Sequence, residues 1–187
     1  GSKDNSYQVD LFDSTHYVSE QNSSPQNRVK FLQAREFDES NDLGIRIKTD
    51  LIEDYLQKIK IIQPDLIIYS VVEDVYLQCL ALMDAIKHYK IPHIVGGVFP
   101  TAAPDICINN ELIDTIGIGE GEEIIVEMAE AIRLKRSKKN IKGIWYKEKG
   151  EIIRNKRGPL VSINESIPDF SLFDTARFNR PMGGQIF

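Results

Sequence analysis

The 187-residue sequence lacks features that define several large classes of protein. It contains no apolar run near the roughly 20 residues that a helix needs to cross a bilayer, and its N-terminal residues are too polar for a signal peptide. It also has no excess of positive charge: its net charge is −5, whereas a face that binds nucleic acid is normally basic. We therefore expect a cytoplasmic protein that binds neither a membrane nor nucleic acid.

Cysteine and histidine are scarce, with two and three residues respectively. Cys79 and Cys107 share no close spacing, so we expect reduced thiols in or near the core in place of a disulfide or a metal site. His16, His88 and His93 stand alone, and each is expected to be a surface or packing residue. The sequence therefore offers no catalytic residue and no metal ligand that we can name.

Strands and helices alternate through the middle of the sequence. Apolar runs predict strands at residues 66–72, 91–95 and 114–118, and helically spaced apolar residues predict helices at 75–89, 104–110 and 122–136. The first of these strands has no polar alternation, which is typical of a strand buried on both faces of a parallel sheet. The pattern predicts βαβ units with right-handed crossovers.

The flanking parts of the chain follow other patterns. Alternating residues at 7–12 predict one further strand, residues 14–48 have no clear period and predict a long excursion, and helical spacing returns from residue 51. Two strand-like runs around Glu148-Lys149-Gly150 predict a β-hairpin.

The predicted fold class is therefore α/β. We expect a Rossmann- or flavodoxin-like, mostly parallel sheet with flanking helices, plus a C-terminal β-hairpin and an extended tail. The predicted domains are residues 3–140 for the α/β part and residues 141–187 for the hairpin and linker.

Two glycine-rich loops each follow an apolar run. Gly96 and Gly97 come directly after the strand predicted at 91–95, and Gly119 and Gly121 come after the strand predicted at 114–118. Ligands of open α/β sheets bind outside the carboxyl ends of the strands. Because glycine has no side chain, these loops and Ser70 leave room for a ligand against the backbone. A glycine that only forms a turn is the competing interpretation of either loop alone.

The acidic residues of the second loop disfavour a phosphate ligand. Glu120, Glu122 and Glu123 surround the start of a predicted helix, where the helix dipole alone would favour an anion. The sequence has neither a GxGxxG motif nor a P-loop lysine. Carboxylates at a cleft suit a ligand with many hydrogen-bond donors, such as a ring edged with amide groups, although simple complementation of the helix dipole also explains them.

Several short motifs occur in a fixed order along the chain. They are Ser70-Val71-Val72-Glu73, Gly96-Gly97-Val98-Phe99-Pro100-Thr101, Asp114 through Gly119-Glu120-Gly121-Glu122, Gly143-Ile144-Trp145-Tyr146, Ile167-Pro168-Asp169-Phe170 and residues 177–184. In this order they resemble the cobalamin-binding domain of cobalamin-dependent radical SAM enzymes. The resemblance runs roughly from residue 7 to the C-terminus, and the order of the motifs is more specific than any one of them.

The resemblance implies where a corrinoid lies. In that family it covers the carboxyl edge of the sheet, so its nucleotide tail is expected beside Ser70 and the Gly96-Gly97 loop, with the Glu120 region near the edge of the corrin ring. The implied cofactor-binding residues are Ser70, Val71, Val72, Glu73, Gly96, Gly97, Val98, Phe99, Pro100, Thr101, Gly119, Glu120, Gly121 and Glu122. Because no Asp-x-His-x-x-Gly loop follows the strand predicted at 7–12, a histidine-ligated cobalt is not implied.

The resemblance also implies a role within a larger enzyme. Family members usually begin with a further strand and helix, and their tail leads into the CxxxCxxC motif of an iron–sulfur cluster; the sequence contains neither. We expect a cofactor-holding module, without catalytic activity of its own, of an enzyme that cleaves S-adenosylmethionine and commonly uses the corrinoid as a methyl carrier. The cluster and S-adenosylmethionine are expected in a downstream radical SAM domain, and a homodimer through an exposed sheet edge is a further expectation.

Two other classes of protein stay open on the residues alone. A response-regulator-like receiver shares the doubly wound fold, and Asp13 and Asp74 are available for its acidic cluster, but Gly117 and Ile118 provide no lysine at the strand end. The second class is a non-catalytic interaction domain in which residues 14–48 recruit a partner. Metal-dependent phosphorylation favours the first class, and glycine loops without ligand affinity favour the second.

Overall fold

The computed structural model describes residues 7–17, 48–160, 169–178, 181–182 and 185–186. The chain divides into two compact units, one made of Gly1–Ile62 and Pro168–Phe187 and the other of Gln63–Ile167. Every residue predicted to bind a ligand lies in the second unit. Within the described ranges, no helix is both long enough and apolar enough to span a membrane.

A five-stranded mixed sheet forms the centre of the second unit. Its strands follow the order β1 (Ile67–Ser70), β2 (His93–Gly96), β3 (Thr115–Gly117), β4 (Ile144–Glu148) and β5 (Glu151–Arg154). The first three strands are parallel, whereas β4 pairs antiparallel with β3 and with β5. The predicted α/β fold class is confirmed. The hairpin extends the same sheet past residue 140, and the domains 3–140 and 141–187 stay a prediction.

Five helices accompany these strands in the described part of the chain. They are α1 (Leu51–Ile62) in the first unit, and α2 (Tyr76–Ile86), α3 (Val98–Ala102), α4 (Pro104–Asn109) and α5 (Glu122–Arg133) in the second. The sequence predicted all of them except α3, which is too short to show a period and contains Pro100. Helix α5 ends earlier than predicted because Lys135 has a φ of 50° and the N–H of Arg136 donates to the carbonyl of Ala131.

Helix α5 packs on the sheet through one apolar face. Ile124, Met128 and Ala131 lie on that face at helical spacing. They join a buried cluster with residues of β2, the segment before β4, and β4 itself; those residues are Ile94, Ile141, Ile144 and Tyr146. This packing fixes the N-terminus of α5, and with it the loop at residues 119–121, at the end of β3.

Strand β1 lies at the edge of the sheet as far as the described residues show. The strand predicted at 66–72 was expected to be buried on both faces, but β1 is shorter, and Ile68 is 46% exposed. No described strand pairs with the outer side of β1. An exposed apolar edge strand favours pairing between chains, so the expected homodimer stays a prediction.

The strand predicted at residues 7–12 is wrong. Residues 7–14 have no regular structure, and Tyr17 forms an isolated parallel bridge with Lys48. The ring of Phe12 lies 5.8 Å from the ring of Tyr17 and 5.0 Å from that of Tyr55. The alternating residues Tyr7 and Val9 are exposed, so the apolar alternation does not mark a buried strand face, and Phe12 is held by aromatic packing within the first unit. Most of the excursion predicted at 14–48 lies outside the described residues.

The predicted extended tail contains local structure where it is described. A 3₁₀ turn spans Thr175–Phe178, and the short strands β6 (Pro181–Met182) and β7 (Gln185–Ile186) pair antiparallel. The rings of Phe170, Phe173 and Phe178 lie within 5.6 to 6.2 Å of one another. These ring contacts pack residues 170–178 against one another.

His93 is a packing residue at the amino end of β2, the end opposite the glycine loops. Its Nε2 atom accepts a hydrogen bond of 3.1 Å from the backbone N–H of Asp114. Burial is the main cause that lowers the pKa of His93; the nearby cations Lys138 and Lys147 lower it further, while Asp114 and a backbone hydrogen bond with Ile91 oppose the shift. The folded state therefore favours the neutral ring.

We expect His93 to make the protein less stable in mild acid. The ordinary pKa of histidine is about 6.5, and below this pH His93 is protonated in the unfolded chain. In the folded chain it is protonated only when the pH falls to its lower folded-state pKa. Stability is lost across that window and is independent of this group above it. Urea unfolding of wild type and His93→Gln across the window tests this. The glutamine can still accept a hydrogen bond, and equal pH slopes for the two proteins would contradict the assignment.

Candidate functional site

The carboxyl ends of the three parallel strands meet at one edge of the sheet. Ser70, the exposed last residue of β1, pairs with Gly96, the last residue of β2. Val95 pairs with Ile116 of β3, so Gly117 lies at the same edge. The three strand ends therefore converge as the sequence predicted.

The two glycines of the first loop differ in their surroundings. A Cβ atom added at Gly96 would meet no atom of the described residues within 4 Å. Gly97 has a φ of 107°, and a Cβ atom there would lie 2.7 Å from the carbonyl oxygen and 2.8 Å from the nitrogen of Val71. Gly97 is therefore required by the fold, because two backbones pass too closely for any side chain. Gly96, in contrast, leaves open space that a ligand can enter.

Val71 links β1 to the first glycine loop through its backbone. Its N–H donates to the carbonyl of Gly96 at 2.8 Å, and its carbonyl accepts from the N–H of Phe99 at 3.1 Å. The side chains of Val71 and Pro100 are almost fully buried. These two members of the predicted set can therefore contact a ligand only through backbone atoms.

Large apolar side chains are exposed at this edge. Val72, just after β1, is 49% exposed, and Val98, the first residue of α3, is 70% exposed. Phe99 is partly buried, with its ring 4.8 Å from that of Tyr76, and burial is the main cause that raises the pKa of the Tyr76 phenol. Exposed apolar groups beside open backbone favour a ligand with an apolar face.

Thr101 connects the two glycine loops. Its hydroxyl donates to the carbonyl of Gly97 at 2.9 Å and accepts from the backbone N–H of Gly119 at 3.0 Å. One side chain therefore spans from the end of β2 to the end of β3.

The second loop presents acidic side chains to solvent. Glu120 and Glu122 are exposed, as is Glu73 after β1. Gly121 precedes α5, and its carbonyl accepts from the N–H of Ile125 at 2.8 Å. The predicted carboxylates thus lie beside the strand ends where the sequence placed them, and their side chains are exposed to solvent.

Arg157 covers the second loop and was missed by the sequence analysis. Gly119 has a φ of 94°, and a Cβ atom there would lie 2.6 Å from Nε and 2.9 Å from Nη2 of Arg157. Asn155 and Lys156 hold this segment in place, since Asn155 donates to the carbonyl of Ile144 and Lys156 accepts from the N–H of Gly143. Arg157 follows β5 in a stretch without periodicity, so no sequence signal links it to Gly119.

A small cavity of about 60 Å³ lies beside Arg157. Its wall combines hydrogen-bond acceptors and cationic donors with apolar groups; the charged residues are Glu120, Glu123, Glu127, Lys142 and Arg157. Such a mixture suits neutral polar groups, for example amides, better than it suits a free anion.

The two cysteines do not belong to the candidate site. Both are buried and free. Burial is the main cause that raises the pKa of Cys79 to about 12 and that of Cys107 to about 11. They are therefore protonated core thiols at neutral pH, and a thiol is a poor nucleophile and a poor metal ligand.

Comparison with known families identifies the cofactor class. Residues 29–129, more than half of the chain, match the B12 binding domain. The chain belongs to the B12-binding domain family. All fourteen residues that the sequence assigned to cofactor binding lie inside the matched region.

Solved structures with a similar fold are radical S-adenosylmethionine (SAM) enzymes. The cobalamin-dependent enzyme OxsB, with aqua-cobalamin and SAM bound, has a TM-score of 0.51 at 17% identity, covering 71% of this chain and 21% of that one. The methyltransferase TsrM from Kitasatospora setae, with cobalamin and a [4Fe-4S] cluster bound, has a TM-score of 0.51 at 17% identity, covering 64% and 23%.

At these identities the likeness shows the fold alone, and this chain spans less than a quarter of the length of either enzyme. No curated protein matches the sequence. The receiver and interaction-domain alternatives gain no support from these comparisons.

Proposed function

We propose that this B12-binding domain holds cobalamin across the carboxyl edge of β1, β2 and β3, as the cofactor module of a radical SAM enzyme. Family membership supplies the cofactor class. The observation that supports the place is the open space at Gly96, beside the exposed hydroxyl of Ser70. A bulky nucleotide tail needs such a gap between side chains.

The residues of this edge fit a corrinoid chemically. The ligand has a methyl-rich macrocycle edged with amide arms, and Val72 and Val98 offer exposed apolar contacts for the ring. The carboxylates of Glu73 and Glu120 would accept hydrogen bonds from the N–H groups of the amide arms. The guanidinium of Arg157 would donate hydrogen bonds to their carbonyl oxygens. When bound, cobalamin supplies a cobalt centre that can carry a transferable methyl group.

We assign the radical chemistry to another part of the parent enzyme. Within the described residues no group of three histidine, cysteine or acidic side chains is placed to hold a metal ion, so we place the iron–sulfur cluster and S-adenosylmethionine in a separate radical SAM domain. The likeness to the methyltransferase TsrM supports a methyl-transfer or related radical reaction for the parent enzyme, and we further propose a cytoplasmic location. The chain's own residues bind and orient the cofactor.

Gel filtration with hydroxocobalamin tests the proposal. We expect the corrinoid to comigrate with the 187-residue chain and to be detected by its visible absorbance. Cobinamide, which lacks the nucleotide tail, should bind at least about tenfold more weakly, because it loses the contacts beside Ser70 and Gly96. Absence of comigration would contradict cobalamin binding, and equal affinity for both corrinoids would contradict the placement of the tail.

A further inference from the structure

The hydroxyl of Thr101 both donates and accepts a hydrogen bond. A hydroxyl has one proton to donate and two lone pairs. The proton goes to the carbonyl of Gly97, and one lone pair accepts the N–H of Gly119. Thr101 is only partly buried, so burial alone does not require its hydroxyl to bond to protein groups. The two hydrogen bonds follow from its position between the two loops.

Local helix geometry explains only one of these bonds. Threonine in a helix commonly donates to the carbonyl four residues back, which accounts for Gly97 because Thr101 lies in α3. It does not account for Gly119, which is 18 residues away in sequence. At Gly119 the backbone is in the left-handed region with Arg157 against it, and its N–H is directed to Thr101.

Beyond the pairing of Val95 in β2 with Ile116 in β3, backbone hydrogen bonds hold the edge in two separate halves. Backbone hydrogen bonds of Val71 with Gly96 and Phe99 fix the first glycine loop to β1. A backbone hydrogen bond of 2.7 Å from Ile118 to the carbonyl of Gly143 fixes the end of β3 to the segment before β4. The hydrogen bond from Gly119 to Thr101 joins these halves through a side chain.

We propose that Thr101 is a positioning residue that sets the spacing between the open backbone at Gly96 and the acidic loop at Glu120, so that one corrinoid can contact both. This inference rests on the proposed function. A preformed spacing strengthens binding because the loops need not be ordered when the ligand arrives. The role differs from direct contact, since both bonds of the hydroxyl go to the protein.

The matched variants Thr101→Val and Thr101→Ser test this role. Valine keeps the shape and removes the hydroxyl, whereas serine keeps both hydrogen bonds. In the free protein, we expect the Gly119 amide to exchange its hydrogen about tenfold faster in Thr101→Val and at the wild-type rate in Thr101→Ser. The Kd for hydroxocobalamin should rise about tenfold in the valine variant and be restored by serine.

Thr115→Val serves as a control for a general loss of stability. The Thr115 hydroxyl accepts a hydrogen bond of 2.9 Å from Lys138 at the opposite end of β3, and we expect this variant to keep the Kd within about twofold of wild type. Unchanged exchange at Gly119 in Thr101→Val overturns the inference, as does unchanged affinity despite faster exchange. A wild-type chain that binds no corrinoid would instead overturn the proposed function.

Discussion

Gly96→Leu is expected to weaken cobalamin binding strongly and to leave the fold intact. The new side chain would enter space in which no atom of the described part of the chain lies within 4 Å of the Cβ, and this is the space proposed for the nucleotide tail. We expect the Kd for hydroxocobalamin to rise at least about 100-fold, equivalent to about 2.7 kcal/mol. Titration followed by visible absorbance measures the affinity, and urea unfolding of the same sample measures stability.

Gly96→Ala provides the graded control for this result. A single methyl group occupies much less of the gap, so its effect on the Kd should be clearly smaller than that of leucine. Wild-type affinity in a folded Gly96→Leu protein would show that cobalamin binds away from Gly96.

Gly97→Ala is expected to destabilise the protein by about 3 kcal/mol, the upper range for a strained backbone position. Two causes combine: the φ of 107° is unfavourable for alanine, and its Cβ would overlap the backbone of Val71 at 2.7 and 2.8 Å. Neither Val71 atom belongs to a flexible side chain that could move aside. Urea unfolding monitored by circular dichroism measures the loss.

Gly150→Ala separates the two causes. Gly150 also has a positive φ, 84°, but an added Cβ there would meet nothing within 4 Å, so its cost should be the conformational one of about 1 kcal/mol. Equal losses at the two glycines would show that the approach to Val71 does not matter. A bulky residue at Gly97 is accordingly a poor probe of ligand binding, because it would disturb the fold as well.

The parallel part of the fold could be predicted because its strands are short apolar runs that end in small residues. The strand predicted at 91–95 ends in two apolar residues, Ile94 and Val95, which are almost fully buried, and the small residue after them marked the end of β2 at Gly96. The strand that the hairpin pairs with, β3, was not predictable in the same way. Its alternation and turn specify pairing between β4 and β5, but the pairing of β4 with β3 depends on the packing of Ile144 and Tyr146 against α5.

The position of the candidate site was predicted from the sequence, but the roles of its individual residues were not. In the sequence, Gly96 and Gly97 both indicate room for a ligand because neither has a side chain. Only the structure shows that the space is open at Gly96 and that Gly97 lies against the backbone of Val71. Thr101 was expected to contact the ligand, yet its hydroxyl bonds both loops. Arg157 reaches Gly119 from a part of the chain with no periodic pattern, so its contribution depends wholly on the tertiary fold.

Hydrogen–deuterium exchange of the 187-residue chain with and without hydroxocobalamin tests the central claim most directly. We expect slower exchange on binding at residues 70–73, 96–101 and 119–122, the three strand ends, and no change around His93 and Asp114 at the opposite end of the sheet. Protection that is confined to that opposite end, or no protection with saturating corrinoid, would contradict cobalamin binding at the carboxyl edge.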